Sequence, residues 1–534
     1  KSSDSAGALA VIGNVTLDDF ENVKFEGNTA SNTGGAICLH EGRNTKFGNF
    51  TNVSFKNNEA AFGSAISALA GGTFGNWNKV DFIDNKVVYN SYASNGSGGV
   101  ISLSNATVGN WDTGVMQGAD SDYLVLNGGG ISAGSSKFGN ISNVAFKNLH
   151  ARNQGGAIWS NESTFGNLTN VTFENVTSGS QGGVIWNNGS GVNNGIFGNL
   201  ENVHFNNVGI DSSISPGYSS KQGGAIFNNG TFGSWNNGSV CGLGTEDKYI
   251  VTQGGAIWNG RTFGNISNVA FKNLHASNMG GAIWSNSGTF GNLTNVSFEN
   301  ITAGSQGGAI WNEGYSENNG IFGDLENVHF NKVGLDSSLS TGYFSGQGGA
   351  IYNSGTIGDW TNGSAYGLGG ADNYIASQGG AIWNNGKFGK ITNVLIKDYY
   401  AKTGGAIWNI GTMKGLEKVS FINNHATESA GGAIMVHRDS SAFGSVSESL
   451  FQDNSAHTWG GAIASHGYLS SIIGSSFINN TAGNGGAIYS SNPNVGTLKD
   501  LTFIGNKAVG NNEARLAGAG GAIAVIKILL NGLV

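Results

Sequence analysis

Gly155-Gly-Ala-Ile158, followed by Phe165-Gly-Asn-Leu-Thr-Asn-Val-Thr-Phe-Glu-Asn175, decides how this chain folds. In Val171-Thr172-Phe173 the apolar side chains alternate, and a period of two puts them on one face of a strand. Gly and Asn punctuate the stretch where the chain must turn. The tetrapeptide recurs with small variations, ending at Ile37, Ile66, Ile101, Ile131, Ile158, Ile185, Ile226, Ile257, Ile283, Ile310, Ile351, Ile382, Ile407, Ile434, Ile463, Ile488 and Ile523, commonly 25 to 31 residues apart. The second block is echoed at Phe47–Asn57, Phe138–Asn148, Phe263–Asn273 and Phe290–Asn300. A fixed period of this size is the signature of a stacked repeat architecture.

A longer period overlies the short one, because Ile101 recurs 125 residues on as Ile226 and again as Ile351. Blocks of four turns are therefore copied, giving super-repeats at about 132–257 and 258–382 with a partial earlier copy ending near 131. Gly109-Asn-Trp111, Gly233-Ser-Trp235 and Gly358-Asp-Trp360 mark one corresponding turn in three copies, each followed by a tyrosine at Tyr123, Tyr249 or Tyr374. Extra residues near Gly209–Gln222 and Gly334–Gln347 read as loops leaving their turns.

Composition excludes the competing classes. Of 534 residues 91 are Gly, 2 Pro and 2 Cys, with 11% charged and a formal net charge of -8. Gly inside helices would be unfavourable by roughly 0.5–1 kcal/mol each, and no stretch keeps a 3.6-residue stripe to offset it. Collagen needs abundant Pro, a disulfide scaffold needs more than the distant Cys38 and Cys241, and a charge-rich disordered chain would not carry 29 Phe, 14 Tyr and 12 Trp. The acidic balance argues against nucleic acid and anionic membrane as partners. Ala522–Val534 is the most apolar run, too short for a membrane-spanning helix and interrupted by Lys527. Lys1–Ala10 has no secretory pattern, so any export signal is expected to lie outside these residues. Short strands, Gly and Asn corners and turns of about 27 residues fit a parallel β-helix with equivalent side chains stacked one turn, about 4.8 Å, apart. The expected architecture is all-β, a single domain over 1–534 of about 17–18 rungs and roughly 80 Å long.

Gly-Gly-Ala-Ile alternating with Phe-x-x-Asn resembles the polymorphic outer-membrane protein repeat, named from chlamydial surface proteins and found in autotransporter passengers and adhesin-like proteins. Phe25–Asn28, Phe55–Asn58, Phe82–Asn85, Phe421–Asn424, Phe451–Asn454, Phe477–Asn480 and Phe503–Asn506 match Phe-x-x-Asn directly. Central turns depart from it, since Phe146-Lys-Asn-Leu149 and Phe173-Glu-Asn-Val176 place the Asn one position earlier. The resemblance implies a right-handed β-helix, as does the general preference for right-handed crossovers. It also implies a secreted, extracellular or cell-surface adhesin or structural fibre, with no enzymatic role. The membrane barrel of autotransporters is not within these residues. The chain is expected either to be a piece of a longer polypeptide or to be anchored differently. Its partners are then expected to be other copies of itself, end to end or side by side, and host or environmental glycans.

The residue after each repeated Ile is the most informative variable position: Trp159, Trp186, Phe227, Trp258, Trp284, Trp311, Tyr352, Trp383 and Trp408. Alternation places these nine on the face opposite Ile, so an aromatic ladder is expected along the outside. Ser67, Ser102, Ser132 and Ala464 at the same position support an outer face. Such a strip is either a contact site or a purely stabilising stack, covered by loops or by its own rings.

The rival class is a β-helical polysaccharide-binding protein, lyase or hydrolase, which needs paired carboxylates or an Asp cluster on one patch. The acids are scattered instead. Asp120, Asp122, Glu246, Asp247 and Asp372 fall in equivalent Gly-rich stretches, and Gly242-Leu-Gly-Thr-Glu-Asp247 is a poor match to a calcium turn. His150 and His204 return as His275 and His329, as copying requires. No metal, redox or nucleotide motif is present, so no cofactor and no metal ligands are expected. Asn-x-Ser/Thr triplets such as Asn167-Leu-Thr and Asn292-Leu-Thr follow from the corner Asn repeat. Cys38 sits at the ladder position of its turn, and Cys241 aligns with Tyr366.

Overall fold

The computed structural model describes residues 6–41, 44–69, 71–88, 98–118, 125–191, 195–214, 221–244, 251–315, 319–340, 346–437, 442–492, 495–510 and 518–525. Tyr123, Tyr249, Asp120, Asp122, Glu246 and Asp247 lie outside them. The described secondary structure is strands with two short 3-10 turns, stacked in parallel as a β-solenoid. The chain forms two compact units, Lys1–Leu274 and His275–Val534.

In the first unit the Gly-Gly-Ala-Ile blocks build one wall. Its strands run in parallel from Leu9–Ile12 to Ile257–Asn259, and Ile37, Ile66, Ile101, Ile131, Ile158, Ile185, Ile226 and Ile257 pair in unbroken register. A second wall brings Phe138, Phe165, Phe197, Phe232 and Phe263 into line. The third consists of longer strands such as Leu168–Ser178 and Leu200–Ile210, which pair Leu168 with Leu200, Val171 with Val203 and Phe173 with Phe205. These Ile, Phe, Leu and Val side chains are buried and form the interior. Like stacks on like, with Phe165 and Phe197 rings 4.7 Å apart at 8°, close to the spacing between neighbouring strands.

The second unit repeats the plan. Ile283–Asn286 pairs with Ile310–Glu313, and the wall continues turn by turn to Ile523–Val525. Leu293, Val296 and Phe298 pair with Leu325, Val328 and Phe330 on its long wall.

Corner chemistry explains why these strands bend where they do. Gly182 has φ +58°, and a Cβ on the next residue, Gly183, would stand 1.9 Å from the carbonyl oxygen of Gly224 one turn on. The pair therefore supplies both a left-handed turn and a close approach that any side chain would block. Asn143, Asn170 and Asn202 adopt φ +53° to +56°, the left-handed region Asn tolerates. Where the sequence reads Phe-x-x-Asn, the last Asn turns inward. Asn58 Nδ2 donates to the Phe25 carbonyl at 2.8 Å and to Asn85 Oδ1 at 2.9 Å. In the central turns Leu149 and Val176 occupy that inward position, and the strands Ile141–Ala151 and Leu168–Ser178 run straight through. The displaced Asn148 and Asn175 keep a left-handed φ on the outside. Apolar contact there replaces an amide ladder, and the bend disappears with it.

Candidate binding face along the aromatic column

The residue after each repeated Ile points away from the interior, as alternation requires, but the expected exposed strip is not what forms. Trp186, Phe227, Trp258, Trp284, Trp311, Trp383 and Trp408 are all buried, and only Trp159 and Tyr352 are partly open. Small residues at the position, Ser67, Ser102, Ser132 and Ala464, are buried as well. Their presence reports restricted space rather than solvent.

Three devices cover the rings. In the first unit the rings lie face to face: Trp159 on Trp186 at 4°, Trp186 on Phe227 at 8°, and Phe227 on Trp258 at 3°, with centroids 4.3 to 6.0 Å apart. Each ring thus hides its neighbour's face. Glutamines five residues upstream close one edge. Gln154 donates to Gln181, Gln181 to Gln222 and Gln222 to Gln253, at 2.7–2.8 Å. The indole N–H groups of Trp159 and Trp186 donate to Gln154 Oε1 at 3.1 Å and Gln181 Oε1 at 3.3 Å. Chain also lies against the rings, since a Cβ on Gly260 would stand 2.6 Å from Cη2 of Trp258.

The second unit keeps the glutamine chain, Gln306 to Gln347 to Gln378, but its ring stack is less regular. Trp284 and Trp311 meet at 30°, Trp311 and Tyr352 at 53°, and Tyr352 and Trp383 at 8°. Beyond them Trp383, Trp408, Ala430, Met435 and Ala464 form an apolar cluster outside the β-coil interior, with Trp459 packed against it. Trp459 occupies the glutamine position of its turn while Ala464 occupies the aromatic one. A large side chain and a small one have exchanged places.

A further row escaped the sequence reading. Asn187, Asn228 and Asn259, two positions after Ile, are fully buried, and their amides donate in sequence at 2.9 and 2.8 Å. In the second unit Asn312, Asn353, Asn384 and Asn409 do the same at 2.6 to 2.9 Å. The signal was present as Ile-Trp-Asn repeated through the central turns. The glutamine row was equally visible as Gln-Gly-Gly.

The remaining candidates are accounted for by local contacts. His150 Nδ1 and His275 Nδ1 meet Thr177 and Thr302 hydroxyls at 2.7 and 2.8 Å, and His204 and His329 meet Ser239 and Ser364 at 2.9 Å. Burial pushes His275 down to about 4 despite the opposing charge of Asp336. Asp372 is exposed and starts a 3-10 turn, Asp372–Tyr374. Cys38 and Cys241 are free; Cys38 is buried, which raises its thiol pKa, with Thr33 Oγ1 3.2 Å from its sulfur. Among the described residues no group of three or more His, Cys, Asp or Glu could hold a metal ion, and no helix is long and apolar enough to cross a membrane.

No curated protein and no solved structure matches the chain. The Chlamydia polymorphic membrane protein (Chlamydia_PMP) repeat matches residues 22–39, 295–313, 448–466 and 474–491. Each match runs from a strand of the long wall, through a corner, into the next Gly-Gly-Ala-Ile strand. The β-solenoid therefore carries, in both of its units, repeats of the Chlamydia polymorphic membrane protein type.

Proposed function

We propose that this chain is the body of a cell-surface protein, a β-solenoid that holds adhesive contacts on its flanks and performs no catalysis. The observation that carries this reading is the combination of four polymorphic membrane protein repeats with turns that stack in register. Copied turns multiply flank surface without altering the interior, and a molecule that works by contact needs such surface. The stacked rings of Trp186, Phe227 and Trp258 support a stiffening role, because their faces are spent on one another. Ligand contact belongs where the column opens, at Trp159 and Tyr352.

The test is cell fractionation of the native host together with protease treatment of intact cells. The protein is expected in the surface fraction and to be cleaved on intact cells, and purified protein is expected to compete for host-cell attachment. A protease-protected protein that does not compete would remove the reading. Turnover of any acidic polysaccharide in a panel would replace it with the lyase or hydrolase class.

A further inference from the structure

The two copies of the 125-residue block differ at one flank position in a coordinated way. Where the first copy has Asn188, Ser190 and Phe227, the second has Glu313, Tyr315 and Tyr352. The backbone between them is held differently as well. In the first copy Glu162 Oε1 accepts from Ser190 N at 2.8 Å, and the Arg261 guanidinium donates to the carbonyls of Ser190 and Gly191 at 3.4 and 3.5 Å. The second copy has Ser287 and Gly386 at those two positions. There Gly314 N donates to Ser354 Oγ at 3.2 Å and Tyr315 N to Asn319 Oδ1 at 2.8 Å. This arrangement presents Tyr315, 77% exposed, with its hydroxyl donating to the Glu313 carboxylate.

The same place is where the ring column breaks. Phe227 lies parallel to Trp186 at 8°, whereas Tyr352 tilts 53° from Trp311 and is partly exposed. Glu313 is half-buried with no ion pair among the described residues. Burial raises its carboxyl pKa, and burial together with the Glu313 charge pushes the Tyr352 phenol up to about 12. A half-buried negative charge sits there beside two tyrosines, with no cation paired to it among the described residues.

We propose that Glu313, Tyr315 and Tyr352 form a binding site for the cationic head of a basic side chain, a lysine ammonium or an arginine guanidinium on a polypeptide partner. The carboxylate pairs with the charge, the open Tyr315 face attracts it through its quadrupole, the Tyr352 hydroxyl oxygen accepts from it, and the aliphatic stem lies along the Tyr315 ring. The net charge of -8 favours a basic partner over an acidic one. An amino sugar would bring several hydroxyls that need directional partners, and one carboxylate with two phenols supplies few of them. The site goes beyond the surface reading and stands or falls independently of where the protein resides.

The test is calorimetric titration of the full chain with N-acetyl-lysine methylamide, alongside N-acetyl-alanine methylamide, glucosamine and glucose. Saturable binding of the lysine derivative at one site per chain is expected, with no heat from the alanine derivative or glucose. Glu313→Gln is expected to weaken it about tenfold. The triple variant Glu313→Asn, Tyr315→Ser, Tyr352→Phe should abolish it, and that variant only restores the residues this chain already carries at 188, 190 and 227. The reverse variant, Asn188→Glu, Ser190→Tyr, Phe227→Tyr together with Glu162→Ser and Arg261→Gly, should raise the stoichiometry from one to two. Absence of saturable binding, or binding unchanged in the first triple variant, would overturn the site. Tighter binding of glucosamine than of the lysine derivative would overturn the assignment to a basic side chain.

Discussion

Three turns place an indole where others have Leu or Ile, and in each the residue three positions on is Gly instead of Val: Trp111 with Gly114, Trp235 with Gly238, Trp360 with Gly363. Trp235 pairs in register with Leu200, and Gly238 with Val203. A Cβ on Gly238 would stand 2.3 Å from Trp235 Nε1, 2.8 Å from its Cε2 and 2.3 Å from the Val203 carbonyl oxygen. The indole thus occupies the volume of the missing valine. Trp77 marks the limit of the rule, because Val80 follows it. There the ring is turned 70° from that of its in-register neighbour Trp111. Gly238→Val should therefore rotate the indole rather than expel it, an overpacking penalty of about 2–3 kcal/mol. Trp235→Leu alone leaves a void of comparable penalty, about 2–3 kcal/mol. If one side chain fills the other's space, the double variant Trp235→Leu, Gly238→Val should lose no more than about 2 kcal/mol, a favourable coupling of at least about 2 kcal/mol. Hydrogen exchange of the Leu200–Ile210 and Trp235–Gly242 amides reads the local stability of this region directly. Additive losses in the double variant, or a neutral Gly238→Val, would refute the swap.

Other expectations follow from single features. Gln222→Ala, in the middle of the glutamine chain, leaves Gln181 without its acceptor and Gln253 without its donor, and should destabilise its unit by about 1–2 kcal/mol in a thermal melt. His275 takes up its proton in the unfolded chain near the ordinary histidine value but only near 4 when folded. Stability should therefore fall as pH drops from about 6.5 to 4, by at most about 3 kcal/mol, and His275→Gln should flatten the melting temperature over that window. Replacing Trp258, Trp284 and Trp311 with Ser should lower the melting temperature steeply, at roughly 3 kcal/mol per ring. An unchanged melt with lost attachment would instead make the buried rings a receptor site.

The solenoid was legible because its two signals are redundant: alternation names the inward residue, and the spacing of Ile and Phe names the turn. Corner Asn residues were equally readable, since Asn143 and Asn170 combine a tolerated left-handed backbone with exposure. Burial of the aromatic column was not. Alternation says which face Trp186 occupies but not what covers it, and the cover comes from the neighbouring rings and from Gln181. Ser67 and Ser102 looked like surface residues because their polarity was weighed and their size was not. The straight central strands also had to be seen, because exchanging an inward Asn58 for Val176 removes a hydrogen-bonded bend that only neighbouring turns together can make.

The buried asparagine row has a direction, the amides of Asn187, Asn228, Asn312, Asn353 and Asn384 each donating to the following turn. Such a chain looks the same after translation by one period. Cut out a complete period, or splice one in, and every severed donor meets an acceptor identical to the one it lost. A cut made at any other point strands a giver on one side of the seam and a taker on the other, in a place water cannot reach. Gene duplication in this molecule is thereby steered toward whole-number additions, and the 125-residue spacing from Ile101 through Ile226 to Ile351 is the kind of record such steering leaves.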